Sequence, residues 1–176
     1  MKCYIFSIGE KTTDLCCELM REYGFEVILY QDQTSLWEKL KRFYTEALET
    51  KDDVFVRVDA DIIPNKNVLK LSSIGWTCAS GYDWYKQDTG AISVHMMTRP
   101  IIEECLKHIE EARDKLRPET HLWRLPTVNE WTHVASELNC GLHGYGQKDQ
   151  RERIKSLKQS RNQEYDWSLL ERIEAV

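Results

Sequence analysis

Short apolar runs alternate with helical patterns in the first third of this chain. Three runs, at residues 3–8, 25–30 and 54–58, have the length and the β-branched or aromatic content of buried strands. Apolar residues at helical spacing lie between them, and the second helical segment begins with a capping box formed by Ser35 and Glu38. Strands that alternate with helices form a parallel sheet covered by helices. The sequence therefore predicts an α/β domain with three α/β/α layers and a mostly parallel sheet.

The second half of the chain is less regular but predicts further elements. Two more strands are expected at residues 77–80 and 91–97, followed by a helix that starts with Arg99 and Pro100. A second capping box at residues 127–130 precedes apolar residues at helical spacing, so we expect a helix there that ends before Gly141.

Length and charge limit the classes of protein that the chain can belong to. Its 176 residues, 41% hydrophobic and 30% charged, are typical of one globular domain, which we place at residues 1–147. The net charge of −5 argues against a general nucleic-acid coat protein, whose affinity depends on neutralising phosphates. Residues 148–176 are predicted to form a helical tail packed on the domain. Its basic part, residues 148–161, is either a solvated helix or a cover for an anionic ligand or membrane surface.

The N-terminal run and the cysteines indicate a cytoplasmic protein. The first apolar run ends at Gly9 and Glu10, so it is shorter than the apolar core of a signal peptide, and no run is long enough to be a transmembrane segment. The six cysteines form no C-x-x-C pair, and most of them lie in apolar runs. We therefore expect reduced, buried thiols and no zinc site.

Two aspartates follow the third predicted strand directly. Asp59 and Asp61 lie at its carboxyl end, which is where open α/β sheets bind ligands. Two hard oxygen ligands at this position suit Mn²⁺ or Mg²⁺, ions that bridge to substrate phosphates. The same residues could instead stabilise a turn leading to Pro64, and the sequence leaves both interpretations open.

These features resemble, in chain order, the type-A glycosyltransferase fold, most closely the family-2-like group of nucleotide-diphospho-sugar transferases. The resemblance implies that Ser7 and Gly9, after the first strand, contact the nucleotide of the donor. It also implies that Gln31 and Asp32, after the second strand, bind the base and ribose.

The same resemblance implies a metal site and a catalytic carboxylate. Asp59 and Asp61 match the D-x-D motif that holds a divalent ion on the donor diphosphate, and His143 matches a histidine that completes the site. Glu130 matches an acidic residue on the acceptor helix, although as part of a capping box it could serve that helix alone. Asp83 and Asp88 are the other candidates for a catalytic base.

Several other side chains allow two interpretations each. Arg57 could reach a diphosphate or pair with a neighbouring carboxylate, and His143 could be a ligand or an exposed loop residue. His95, in an apolar strand, is expected to be a core histidine. Three aromatic residues could stack on a sugar or base, or could pack in the core: Tyr82, Trp84 and Tyr85.

The function that we predict is metal-dependent transfer of a sugar from a nucleoside-diphosphate donor to an unidentified glycan, protein or lipid acceptor. Inversion and retention of the sugar configuration remain open, as does the oligomeric state. One alternative is a phosphohydrolase of the haloacid-dehalogenase type, because D-x-D also describes its nucleophile pair. Another is a non-catalytic protein of the same fold that binds nucleotide or carbohydrate.

Overall fold

The structure is a computed structural model that describes residues 1–83 and 88–145, with the backbone alone at residues 88–91 and 136. The strands in these ranges are β1 Lys2–Ser7, β2 Glu26–Gln31, β3 Val54–Asp59, β4 Ile62–Pro64, β5 Trp76–Asp83, β6 Asp88–Thr98 and β7 Thr132–His143. The α-helices are α1 Thr13–Glu22, α2 Leu36–Leu48, α3 Arg99–Lys107, α4 Pro118–Trp123 and α5 Pro126–Asn129. Two 3₁₀ turns lie at Lys66–Lys70 and Ile109–Ala112.

All of these strands belong to one sheet, in the order β2-β1-β3-β6-β5-β7-β4. The pairs β1–β2, β1–β3 and β5–β7 are parallel, and the other three neighbouring pairs are antiparallel. The predicted α/β class is confirmed, and the predicted parallel pairing holds for the strands in the first third of the chain.

Helices cover both faces of the sheet, as the three-layer prediction requires. Helix α1 packs on one face, where Cys16 and Met20 belong to the same buried apolar cluster as Ile5 and Val58. Helices α2 to α5 cover the other face, where Phe43 packs in a cluster around Tyr4 and other aromatic side chains. Helix α2 begins at the predicted capping box, in which the Glu38 backbone N–H donates to the hydroxyl of Ser35.

The sheet curls strongly at its β4 edge. Only Ala60 and Asp61 separate β3 from β4, yet β6, β5 and β7 lie between these two strands in the sheet. Because consecutive Cα atoms are about 3.8 Å apart, such a short connection is possible only if the sheet bends back on itself. The carboxyl ends of β3, β5 and β7 therefore meet around one concave end of the sheet.

Two glycines permit the close packing of strands inside this curl. A Cβ atom at Gly141 of β7 would lie 2.3 Å from the carbonyl oxygen of Ile63 in β4. A Cβ atom at Gly81 of β5 would lie 3.2 Å from the Cβ of His143. A larger side chain at Gly141 would push β4 away from β7, so this glycine is required by space rather than by backbone conformation.

The helix predicted after residue 127 is wrong. Only Pro126–Asn129 is helical, Thr127 donates to Glu104 instead of capping, and Thr132–His143 is a strand paired with β5. The β5–β7 register shifts twice, so Val134 and Asn139 of β7 pair with Cys78 and Ser80 of β5. These irregularities break the alternation of apolar residues along β7 and produce a spacing that resembles a helix.

In the described ranges no helix combines the length and the apolar character that crossing a membrane requires.

Two predictions concern residues that the structure does not describe. The predicted tail, residues 148–176, lies outside the described residues, and so do Trp84 and Tyr85.

Candidate active site

Four of the predicted site residues meet at the concave end of the sheet. Asp59 ends β3 and Asp61 precedes β4, whereas Asp83 ends β5 and pairs in register with His143, the last residue of β7. His143 also pairs with Ile62, which directly follows Asp61. Three strands that are distant in sequence thus bring three carboxylates and one imidazole together.

The backbone of the D-x-D turn is held from three sides. The Ala60 N–H donates to the carbonyl oxygen of Phe6 at 2.9 Å, and the Ala60 carbonyl accepts from the Thr12 hydroxyl at 2.6 Å. The Gly144 N–H donates to the carbonyl oxygen of Asp61 at 2.8 Å. These bonds fix the peptide between the two aspartates, so the positions from which their carboxylates extend are set by the fold.

An acidic pair surrounds the imidazole of His143. Its Nε2 lies 3.1 Å from Oδ2 of Asp61, and its Nδ1 lies 3.7 Å from Oδ2 of Asp83. Burial by itself would lower the pKa of His143, but the hydrogen bond to Asp61 and the charges of Asp61, Asp83 and Asp59 together raise it. The His143 side chain is partly buried, not fully exposed on a loop.

Asp59 interacts with a different cation. Its Oδ1 lies 3.3 Å from a terminal nitrogen of Arg57, which points to the same face of β3. Burial raises the pKa of Asp59, and the charge of Asp61 acts in the same direction, while Arg57 and His143 oppose the rise. The effects of Asp61 and His143 on this pKa indicate that both halves of the D-x-D motif belong to one electrostatic cluster.

Arg57 is fully buried and interacts with two carboxylates. Its second terminal nitrogen donates to Glu119 of α4 at 2.5 Å. The sequence left two roles open for Arg57, contact with a diphosphate or pairing with a neighbouring carboxylate. The structure shows the carboxylate pairing. The sequence analysis missed Glu119, because an acidic residue in the first turn of a short helix is common and carries no specific signal.

His95 is a core residue, as predicted, and it faces the same glutamate. The Trp76 indole N–H, which can only donate, lies 3.1 Å from Nδ1 of His95, so the neutral ring carries its proton on Nε2. That Nε2 lies 3.0 Å from Glu119. Burial, assisted by the charge of Arg57, lowers the pKa of His95 to about 3.

The predicted nucleotide contacts lie together at the ends of β1 and β2. Ser7 pairs with Gln31 across the two strands, and Gly9 has a φ of +99°, a conformation that favours glycine. The Ser7 hydroxyl is buried and donates to Glu10 at 2.6 Å, whereas Gln31 is exposed. The side chain of Asp32 accepts from the N–H and hydroxyl of Thr34, and these bonds lower its pKa.

Lys39 joins the two strand ends and was missed by the sequence analysis. Its side chain is 4% exposed, and Nζ donates to the carbonyl oxygens of Ser7 at 2.7 Å and Asp32 at 2.8 Å. The sequence did contain a signal that Lys39 would be buried. Lys39 lies three residues after Leu36 and four before Phe43, which places it on the apolar face of α2. A lysine in such a stripe needs polar partners in the core.

The other two candidate bases, Glu130 and Asp88, lie in different parts of the structure. Glu130 is exposed and lies just before the start of β7, at the opposite end of that strand from His143. The structure therefore does not bring it to the D-x-D motif. Asp88 pairs with Asp83 at the adjoining ends of β5 and β6.

The donor atoms at the concave end fit a divalent ion that brings further ligands with it. Within the described ranges, no three acidic, histidine or cysteine side chains already form a metal cage. Mg²⁺ sites, however, generally use one or two carboxylates and take their other ligands from substrate phosphates and water. The carboxylates of Asp59 and Asp61 are the donor type that Mn²⁺ and Mg²⁺ prefer, whereas the imidazole of His143 could serve only as a neutral nitrogen ligand, to which Mn²⁺ is better suited than Mg²⁺.

No protein-family model matches this sequence, and no curated protein matches it either. Solved structures do match the fold. One is a glycosyltransferase involved in the glycosylation of the major capsid of PBCV-1, with a TM-score of 0.56 and 13% identity over 90% of this chain and 100% of that one. Another is the protein A197 from STIV, with a TM-score of 0.54 and 15% identity over 77% of this chain and 82% of that one.

A third match is a chain from Desulfovibrio desulfuricans G20 that was assigned to the nucleotide-diphospho-sugar transferases. Its TM-score is 0.50 and its identity 13%, over 99% of this chain and 96% of that one. At these identities the similarity concerns the fold. The chain has the fold of the nucleotide-diphospho-sugar transferases, as the resemblance in the sequence predicted.

Proposed function

We propose that this chain is a metal-dependent glycosyltransferase that moves a sugar from a nucleoside-diphosphate donor to a glycan, protein or lipid acceptor. The observation that carries the proposal is the placement of Asp59 and Asp61 beside His143 at the carboxyl end of β3, within a nucleotide-diphospho-sugar transferase fold. That end of a sheet is where α/β proteins bind ligands.

In this proposal Asp59, Asp61 and His143 hold Mn²⁺ or Mg²⁺. A bound divalent ion stabilises the negative charge that develops on a diphosphate leaving group. The hydrogen bonds of Ala60 to Phe6 and Thr12 hold the D-x-D turn in place before any ligand arrives. Such prior ordering lowers the entropy cost of assembling the site.

The nucleoside is proposed to bind at the ends of β1 and β2. Gly9 is exposed there beside open space, since a Cβ atom built on it would meet nothing within 4 Å, and Gln31 offers an exposed amide. Lys39 supports this surface from below through its bonds to Ser7 and Asp32. Lys39 thus fixes the backbone of Ser7 and Asp32, and the Asp32 carboxylate beside it is partly exposed.

For an inverting reaction a carboxylate must accept the proton of the acceptor hydroxyl. We assign this role to Asp83, because its side chain lies 3.7 Å from the imidazole of His143 and hence within the proposed site. Glu130 is too far along β7 to act on the same substrate. A retaining reaction remains open, and it would not need Asp83 as a base.

The first experiment identifies the donor without knowing the acceptor. The protein is incubated with a panel of nucleotide sugars and Mn²⁺, and slow hydrolysis of the donor is measured as release of nucleoside diphosphate. Release from one donor class supports a transferase. Nucleotide binding without release from any donor would instead support the non-catalytic alternative, and a phosphate trapped covalently on Asp59 would support the phosphohydrolase.

The second experiment tests the metal site by mutation. Mn²⁺ together with the nucleoside diphosphate should raise the Tm of the wild-type protein, since a ligand that binds only the native state stabilises it. Asp59→Asn and Asp61→Asn should abolish this rise. Asp53→Asn is the matched control, because Asp53 is exposed and directly precedes the opposite end of β3. An undiminished rise in both site variants would refute the metal site.

The six cysteines fit a reducing compartment such as the cytoplasm. All of them are free and buried in the structure. A cytoplasmic location is therefore part of the proposal, and fractionation of the native cells would test it.

A further inference from the structure

Glu119 lies behind the D-x-D motif and is joined to it through Arg57. One terminal nitrogen of Arg57 lies 2.5 Å from Oε2 of Glu119, and the other lies 3.3 Å from Oδ1 of Asp59. The second carboxylate oxygen of Glu119, Oε1, lies 3.0 Å from Nε2 of His95. A single carboxylate on α4 thus reaches two neighbouring strands, β3 and β6, at the positions where Arg57 and His95 pair in register.

The charges of this cluster have a direct consequence for a cation at Asp59. Arg57 is buried, so its positive charge is poorly screened by water and would repel a divalent ion nearby. Glu119 offsets that charge at close range. With His95 neutral, Arg57 and Glu119 together carry no net charge. The negative charge of Asp59 is then not neutralised by Arg57 and can attract a cation.

The geometry of the cluster also indicates that Glu119 acts on Asp59 through Arg57. A guanidinium group is planar, so a bond from Glu119 to one terminal nitrogen fixes the direction in which the other nitrogen points. That other nitrogen faces Oδ1 of Asp59. Glu119 in turn is placed by α4, whose Pro118 and Leu122 are buried.

We propose that Glu119 is a positioning residue of the metal site, which orients Arg57 and neutralises its charge so that Asp59 can bind a divalent ion. This inference rests on the proposed function, because it needs an ion at Asp59. It goes beyond that function in making ion affinity depend on a residue of α4 that touches neither the ion nor the donor.

The test measures Mn²⁺ binding by the full chain, without donor or acceptor, from the electron paramagnetic resonance signal of the free ion. Glu119→Gln should weaken Mn²⁺ binding about ten-fold, a loss typical of residues that support a metal ligand. Adding Arg57→Met to this variant removes the unopposed positive charge and should restore the part of the lost affinity that this charge causes. Recovery in the double variant is diagnostic, because a purely structural role of Glu119 would make a second core substitution more harmful.

Glu110→Gln is the matched control, since it removes the same charge from an exposed ion pair with Lys41 and should leave Mn²⁺ affinity unchanged. Glu119→Asp keeps the charge but retracts it from Arg57, so its loss should be smaller than that of Glu119→Gln. Should the Gln variant not fold, an Asp variant with wild-type affinity overturns the proposal. A folded Gln variant with wild-type affinity, or a double variant as weak as the single one, also overturns it.

The outcome separates this inference from the proposed function. If the wild-type protein does not bind Mn²⁺, the metal part of the proposed function fails, and this inference fails with it. If the wild-type protein binds Mn²⁺ and Glu119→Gln binds it equally well, only the role of Glu119 is refuted.

Discussion

Asp83 is the candidate base that the fold brings to the D-x-D motif. It ends β5 in register with His143, whereas Glu130 is exposed near the other end of β7. Sequence alone could not rank these residues, because the ranking depends on which strands are neighbours in the sheet. The pairing of β5 with β7 decides it.

Replacing Asp83 should separate donor binding from chemistry. If Asp83 accepts the proton of the attacking hydroxyl, Asp83→Asn should slow donor hydrolysis by water about 10²–10⁴-fold, the usual contribution of a general base. The rise in Tm with Mn²⁺ and nucleoside diphosphate should persist. Asp53→Asn serves as the control again. A variant that hydrolyses the donor at the wild-type rate would exclude Asp83 as the base.

The buried, neutral His95 predicts how stability depends on pH. Its folded-state pKa of about 3 lies below the usual value of 6.5, so between these values the unfolded chain binds a proton that the folded chain does not. Lowering the pH through this window therefore favours unfolding. From His95 alone, the free energy of unfolding should be about 2 kcal/mol lower at pH 5 than at pH 7.

This dependence can be isolated with a variant. His95→Gln keeps a hydrogen-bond acceptor for Trp76 but does not titrate, so its free energy of unfolding should fall less between pH 7 and pH 5. Urea unfolding of both proteins at the two pH values measures the difference. Identical pH dependence in the two proteins would show that His95 is not held neutral.

Among the secondary-structure elements, the connection between β3 and β4 receives a side-chain hydrogen bond from outside the sheet. The buried hydroxyl of Thr12, just before α1, donates to the carbonyl oxygen of Ala60 at 2.6 Å. It thereby ties the N-terminal end of α1 to the turn that carries both aspartates. The sequence contained no signal for this bond, because the two residues are distant along the chain.

Thr12→Val should loosen this turn with little change in shape. Loss of the hydroxyl leaves a buried carbonyl with one partner fewer, so we expect the free energy of unfolding to fall by about 1 kcal/mol. The rise in Tm with Mn²⁺ and nucleoside diphosphate should also be smaller. Thr45→Val is the control, since its exposed hydroxyl bonds within α2. Equal effects of ligand on Thr12→Val and wild type would argue against a role in ordering the site.

Helix α2 and strand β7 show when local sequence suffices to predict an element. Helix α2 has a complete capping box and a regular apolar stripe, so its start was predicted correctly, although Lys39 lies on its buried face and Leu36 is exposed. In β7 the register shifts against β5 disturb the alternation of apolar residues. Local spacing then indicated a helix, but pairing with a partner distant in sequence determined a strand.

For the whole molecule, two apolar clusters on opposite faces of the sheet provide a core without disulfides. Cysteines contribute to both clusters, among them Cys78 on one face and Cys3 on the other. Burial raises the pKa of Cys78 to about 12, so a thiolate does not form at neutral pH while the chain is folded.

Thiol reactivity should therefore report global unfolding. The native protein should react slowly with a thiol reagent such as Ellman's reagent, and all six cysteines should react in denaturant. Adding a reductant should leave the Tm unchanged, because no disulfide contributes to stability. Fewer than six reactive thiols in denaturant, or a Tm that falls with reductant, would contradict the structure.

The sequence by itself determined the layers, most of the elements and the position of the D-x-D motif at a strand end, because these follow from local spacing and capping. It could not determine which side chains lie next to those aspartates in the folded chain. Only the curl of the sheet, made possible by close packing at Gly81 and Gly141, brings His143 and Asp83 to the motif. The tertiary structure likewise decides that Lys39 and Glu119 are buried. A charged side chain can be buried only where partners distant in sequence provide hydrogen bonds or opposite charge.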